Sequence, residues 1–181
     1  GIFFLTACSK EPNPTNDTST KQTYFSLKDF FEAEIEKLQS QQIVLHKDAY
    51  LNEKVEKKAL HEIDWATEFH SFVNSDINKP AWKDSYRIDS LANKLGQMQF
   101  IYTALNSDLR TQEIVISFGK DAITPVLIRV VNQSQNPIYD SVERLQYEVG
   151  KSYSIENEQK IMWMEGDKFK IEGEFFVHRG K

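Results

Sequence analysis

A chain of 181 residues, 40% hydrophobic and 27% charged, is long enough to bury one hydrophobic core and short for two, so one folded domain is expected. Its net charge of -5 and pI near 5.4 lack the basic footprint that binding to a phosphate backbone needs, which argues against a nucleic-acid partner. Seven Gly and five Pro exclude collagen-like or low-complexity chains, and no run of about 18 apolar residues is present to span a bilayer.

The chain opens Gly-Ile-Phe-Phe-Leu-Thr-Ala-Cys. Residues 1–7 are expected to be the tail of a signal peptide's apolar segment, cut short of its basic start, and so are no part of the fold. Cys8 is the only cysteine and has no internal disulfide partner, which in an exported chain points to a modified thiol or an intermolecular role. Ser9–Thr23 carries two Pro, many Asn, Asp, Ser and Thr and no large apolar residue, so it cannot join a core. Residues 8–23 are expected to form a flexible tether, with a coil of this length spanning roughly 20 Å.

Leu5-Thr6-Ala7-Cys8 resembles a lipobox, and with the polar tether it makes the chain similar to the small lipoproteins of bacteria that have an outer membrane. The resemblance implies cleavage before Cys8, a diacylglyceryl group on its thiol and an acylated amino terminus. Three chains would hold the protein at the membrane nearly permanently, at about 0.8 kcal/mol per buried methylene. Ser9 in place of Asp resembles the outer-membrane sorting pattern, and Lys10-Glu11 resembles a surface-export signal, so either the periplasmic side or the cell surface is open. The alternative is a cytosolic protein with a buried N-terminal strand and an inert thiol.

Residues 24–181 are expected to form one α+β domain, two N-terminal amphipathic helices packed on a curved antiparallel β-meander. Ser26-Leu-Lys-Asp29 has the form of a capping box, and Leu27, Phe30, Phe31, Ile35 and Leu38 recur at helical spacing, predicting a helix that ends near Gln42. Ile43–Tyr50 and Lys54–Leu60 alternate loosely around Asn52-Glu53, as a solvent-facing hairpin does. Asp64 is a candidate N-cap for a second helix carrying Trp65, Phe69, Phe72, Val73 and Ile77, to about Asp76. Pro80 and Lys83–Ser90 suggest an irregular crossing.

From Gln97 the period changes to two. Met98, Phe100, Tyr102 and Ala104 predict one strand, and Ile114, Ile116 and Phe118 the next, closed by Gly119-Lys120-Asp121. Val126–Val131, the most continuously apolar run, predicts a central strand followed by a turn at Ser134–Pro137. Tyr139–Val149 suits a helix through Val142, Leu145 and Val149, or a strand through Leu145, Tyr147 and Val149; the alternating run that follows favours the strand. Tyr153, Ile155, Ile161 and Trp163 predict a long strand, bent midway, with Glu165-Gly166-Asp167 closing a hairpin to Phe169, Ile171, Phe175 and Val177.

Catalytic and metal motifs are absent from the pattern. His61-Glu62 lacks the second histidine of a zinc helix, and His46, His70 and His178 stand apart. Gly119-Lys120 has no upstream glycine loop, and no Ser sits in a nucleophile elbow. The suggestive constellation is Met162, Trp163 and Met164 with Phe169, Phe175 and Phe176, a candidate apolar-ligand or partner surface on the terminal hairpin; ordinary core with a few exposed rings is the plainer reading. Asp89-Ser90-Leu91 and Asp140-Ser141-Val142 resemble an O-glycosylation acceptor motif of exported bacterial proteins, which implies Ser90 and Ser141 as acceptors; turn or N-cap roles are the plainer reading. The expectation is a non-catalytic envelope lipoprotein without cofactor or metal, acting as a binding or accessory module on the membrane or an envelope protein. Its competitor is a carrier or sensor of an apolar small molecule held in the concave face of the sheet.

Overall fold

The computed structural model describes residues 24–92, 96–164 and 166–177. Helix α1 spans Leu27–Gln39, three residues short of the expected end. Ser26 is its N-cap, with Oγ accepting from the Asp29 N–H at 3.1 Å, and Asp29 and Lys37 sit at the ends that the helix dipole favours. Leu27, Phe31 and Leu38 are buried, with Phe30 and Ile35 packed at the margin of the core.

Strands β1 (Ile43–Leu51) and β2 (Lys54–Leu60) form the expected hairpin. Asp64 caps α2 (Trp65–Glu68), accepting from the Thr67 N–H at 3.1 Å. The helix expected to run on to Asp76 is interrupted at Phe69, and a separate turn, α3 (His70–Asn74), begins without a capping side chain. Helices this short have little stability of their own, so the packing of Trp65, Phe69 and Phe72 into the core decides the local path.

A single 3-10 turn at Pro80–Trp82 leads into β3 (Tyr86–Ala92). This strand corrects the irregular crossing read from the sequence. It lies at a sheet edge, and only Tyr86 among its residues is buried, so its alternation is faint. The meander continues through β4 (Met98–Ala104), β5 (Thr111–Phe118), β6 (Pro125–Asn136), β7 (Tyr139–Glu148), β8 (Ser152–Ile161) and β9 (Lys168–Val177). The segment that suited either a helix or a strand is β7. The turn expected at Ser134–Pro137 instead sits at Pro137-Ile138, where Asn136 Oδ1 accepts from the Ile138 N–H at 3.0 Å. β8 stops at Ile161 rather than reaching Trp163, which lies in the following turn at φ 78°.

All nine strands join one antiparallel sheet in the order β2-β1-β9-β8-β7-β6-β5-β4-β3. The chain passes from the edge strand β2 to the opposite edge strand β3 through the short helices, so these and α1 lie across one face. There Phe31, Phe69, Phe72 and Tyr147 pack ring against ring, with centroids 4.7 to 6.2 Å apart. Ile114, Ile116, Ile128, Val130 and Leu145 form the sheet side of the same core.

Candidate functional site

Antiparallel pairing places the β1–β2, β4–β5, β6–β7 and β8–β9 turns at one end of the sheet. Two of them are joined: the Met162 N–H donates to the Ile138 carbonyl at 2.9 Å. The β1–β2 turn is tied in as well, Asn52 accepting from the Lys168 N–H at 3.1 Å and donating to Asp167 at 3.1 Å. The joined β6–β7 and β8–β9 turns expose four large apolar side chains: Ile138 is 65% exposed, Met162 52%, Trp163 92% and Met164 70%.

The six residues singled out on the terminal hairpin therefore divide. Met162, Trp163 and Met164 come together at the tip, and Phe169, at the start of β9, is partly exposed. Phe175, near the far end of the strand, turns into the core against Trp65, with centroids 5.0 Å apart. Phe176 points to the opposite face, where its ring lies 4.4 Å from that of His46. Ile138, which the sequence reading missed, completes the tip. An isoleucine just after a proline in a turn carries no periodic signal, and the strand pairing alone brings it beside Met162.

The face of the sheet away from the helices carries a cleft of about 590 Å³, lined by residues of β1, β2, β7, β8 and β9. Its walls are polar and charged: His46, Asp48, Lys57, Gln146, Glu172 and Glu174. Lys57 pairs with Asp48, a hydrogen bond that raises the pKa of its ammonium. Desolvation, then Glu172, raises that of the Tyr50 phenol. Trp163, Phe169, Phe175 and Phe176 do not line this cleft.

A second polar group lies between the helices and the sheet. Glu143 accepts from Ser71 at 3.1 Å, Arg110 at 3.0 Å and Asn132 at 2.8 Å, and Asn132 also donates to Ser75 at 2.8 Å. Arg110 Nη1 and Asn132 Oδ1 are buried without a protein partner beside a cavity of about 190 Å³. A space of that size with polar walls suits ordered water. These residues come from α3 and its C-cap, the bend before β5, and the strands β6 and β7, and share no motif, so nothing in the sequence announced them.

Of the two Asp-Ser pairs, Ser90 is exposed on the edge strand β3. Ser141 is 8% exposed and donates to Asn157 Oδ1 at 3.2 Å, so a glycan on it would have to displace the neighbouring strand. Gly119-Lys120-Asp121 is a turn: Asp121 accepts from the Ile123 and Thr124 N–H groups and from the Thr124 hydroxyl, and these bonds, the hydroxyl's first, hold its carboxyl at about 2. His46, His61 and His70 remain apart, and among the described residues no three His, Cys, Asp or Glu gather where a metal ion could be held. None of the described helices is long and apolar enough to cross a membrane. The lipobox, Cys8, the tether and His178 lie outside the described residues.

No protein-family model, curated protein or solved structure matches the chain.

Proposed function

We propose that the protein is a non-catalytic lipoprotein of the bacterial outer membrane, anchored through Cys8 and tethered by residues 8–23. Its domain, with α1 and the α2–α3 pair as two amphipathic covers on a curved meander, acts as a binding module. The observation that carries this reading is the tip at Ile138 and Met162–Met164, a cluster of exposed apolar side chains on a domain whose core is filled by its own aromatic residues. Exposed patches of this kind on soluble domains mark contact surfaces. A carrier of an apolar small molecule needs an apolar cavity. The 590 Å³ cleft is instead lined largely by polar and titratable side chains and holds none of the exposed tip residues, so the binding module is the better reading.

The anchoring half is tested by the intact mass of the mature protein taken from the envelope. Mass corresponding to a diacylglyceryl and an acyl group on Cys8, lost in Cys8→Ser, is the expected result. An unmodified thiol on a chain that retains residues 1–7 would overturn it. The binding half is tested by a photo-crosslinking residue at position 163, which should capture an envelope component that the same probe at the buried position 128 does not.

A further inference from the structure

The occupant of the tip can be named from its chemistry and its place in the fold. β6 continues four residues past Asn132, which pairs with Thr111, the first residue of β5. β7 and the end of β8 accompany it. The three strands thus form a prong reaching roughly 13 Å beyond that row. Its stem is mostly polar, with Gln133, Ser134, Gln135, Asp140, Gln159 and Lys160 beside the half-buried Tyr139 and Val142, and its tip is apolar. A core pattern does not do this, because core strands bury one face along their whole length and end in polar turns. Trp163 also adopts a left-handed backbone conformation at φ 78°, which costs a residue with a Cβ and favours glycine or asparagine. A bulky indole held there at 92% exposure gains nothing for the fold.

The chain enters the domain at the same end. Tyr24 donates its N–H to Asn78 at 3.0 Å and its hydroxyl to the Lys83 carbonyl at 2.5 Å, and its ring meets Tyr86 edge-on at 5.6 Å. Tyr86 opens β3 at the end where β6 and β8 finish. β3 and β8 are five strand spacings apart, roughly 24 Å across the sheet, comparable with the roughly 20 Å reach of the tether. With Cys8 anchored as proposed, the attachment point and the prong share one end of the sheet, so the tether allows this end to meet the membrane. Charges near the tip are mixed, Lys54, Lys160 and Lys168 against Glu53, Asp140 and Asp167, so recognition rests on the indole and thioethers rather than on acidic headgroups. Tryptophan partitions to the level of the headgroups in a bilayer.

We infer that the prong is a membrane wedge: Trp163, flanked by Met162, Met164 and Ile138, inserts into the interface of the lipid bilayer and fixes the domain's orientation on it. This rests on the anchoring proposed above, and the test separates the two. The full mature protein is mixed with phosphatidylethanolamine–phosphatidylglycerol vesicles, either plain or brominated along the acyl chains, and tryptophan emission is recorded. Bromine should quench Trp163 and leave Trp65 and Trp82, which pack in or against the core, unchanged.

Trp163→Gly, which suits the backbone there, should keep the melting temperature and lose the quenching. Met164→Asp, which leaves the indole in place, should reduce it as well. Equal emission with plain and brominated lipid would overturn the wedge, as would capture of a protein at position 163 without quenching. Flotation with the vesicles reports the anchor separately. Cys8→Ser that no longer floats, but is still quenched at high lipid concentration with an affinity about tenfold weaker in Met164→Asp, supports the wedge on its own. Cys8→Ser that floats like the native protein removes the anchor, while the quenching still decides the wedge.

Discussion

Tyr147 shows how much one buried hydroxyl can carry. It is fully buried in the aromatic cluster and donates to Glu34 at 2.6 Å, a carboxylate on α1 only 7% exposed. Tyr147→Phe leaves Glu34 with Lys37 as its partner at 2.9 Å and should cost about 1–3 kcal/mol in denaturant unfolding. Burial first, then Glu34, pushes the Tyr147 phenol up, and burial then Glu68 does the same to Tyr153. A raised folded-state pKa favours the neutral phenol, so this stability is fully present below the unfolded value of about 10 and is lost as pH climbs above it. Stability measured across that range should fall, and fall less steeply in Tyr147→Phe; a flat profile in the native chain would contradict the assignment.

Gly173 is the matching case of a residue chosen by space. A Cβ there would lie 2.2 Å from Cε1 of Tyr153, whose ring packs on Phe69 and Phe175 and whose hydroxyl donates to Glu68. That ring cannot swing away cheaply, so Gly173→Ala should lower stability by about 1–3 kcal/mol. Thermal melts of Gly173→Ala and of Gly173→Ala with Tyr153→Leu check it, the second change recovering part of the loss.

Among the elements, those with strong local signals were legible. The Ser26 cap and the Leu27–Leu38 stripe announce α1, and Ser26→Ala should cost about 1 kcal/mol, read by chemical denaturation. β1, β2, β4, β5, β7 and β9 follow alternations visible in the chain. The misreadings share one cause, a non-local contact overriding a local pattern. Trp65, Phe69 and Phe72 keep helical spacing, yet packing on Phe31 and Tyr147 breaks the helix at Phe69. β3 is too exposed to alternate clearly and exists because β4 pairs with it from Tyr86 to Ala92. Trp163 extends the apolar alternation of β8 on paper, but the strand ends at Ile161, which pairs with Tyr139, the first residue of β7, so no partner strand lies beyond it.

Across the whole molecule, the pairing of β1 with β9 over nine residue pairs joins the first strand to the last. This makes the sheet one cooperative unit with β7 at its middle and β2 and β3 at its edges. Native-state hydrogen exchange should be slowest in β6, β7 and β8 and fastest in β2 and β3. Equal protection at edge and centre would mean that the strand order is wrong. Lys54, Lys57 and Lys58 on β2, and Arg87 on β3, keep those edges charged, a common guard against edge-to-edge association.

By itself the sequence determined what depends on neighbours along the chain: the helix caps, the change of period from helix to strand, and the presence of unusual aromatic and thioether residues near the end. Tertiary structure alone decided what depends on residues far apart: the pairing of β1 with β9, the union of Arg110, Asn132 and Glu143, and the partition of the apolar residues, with Phe175 in the core and Trp163 at the tip beside Ile138. The physical reason is that caps and periodicities are local energies written in consecutive residues. Exposure is set by what the rest of the sheet leaves uncovered, and that is settled only when strands distant in sequence have paired.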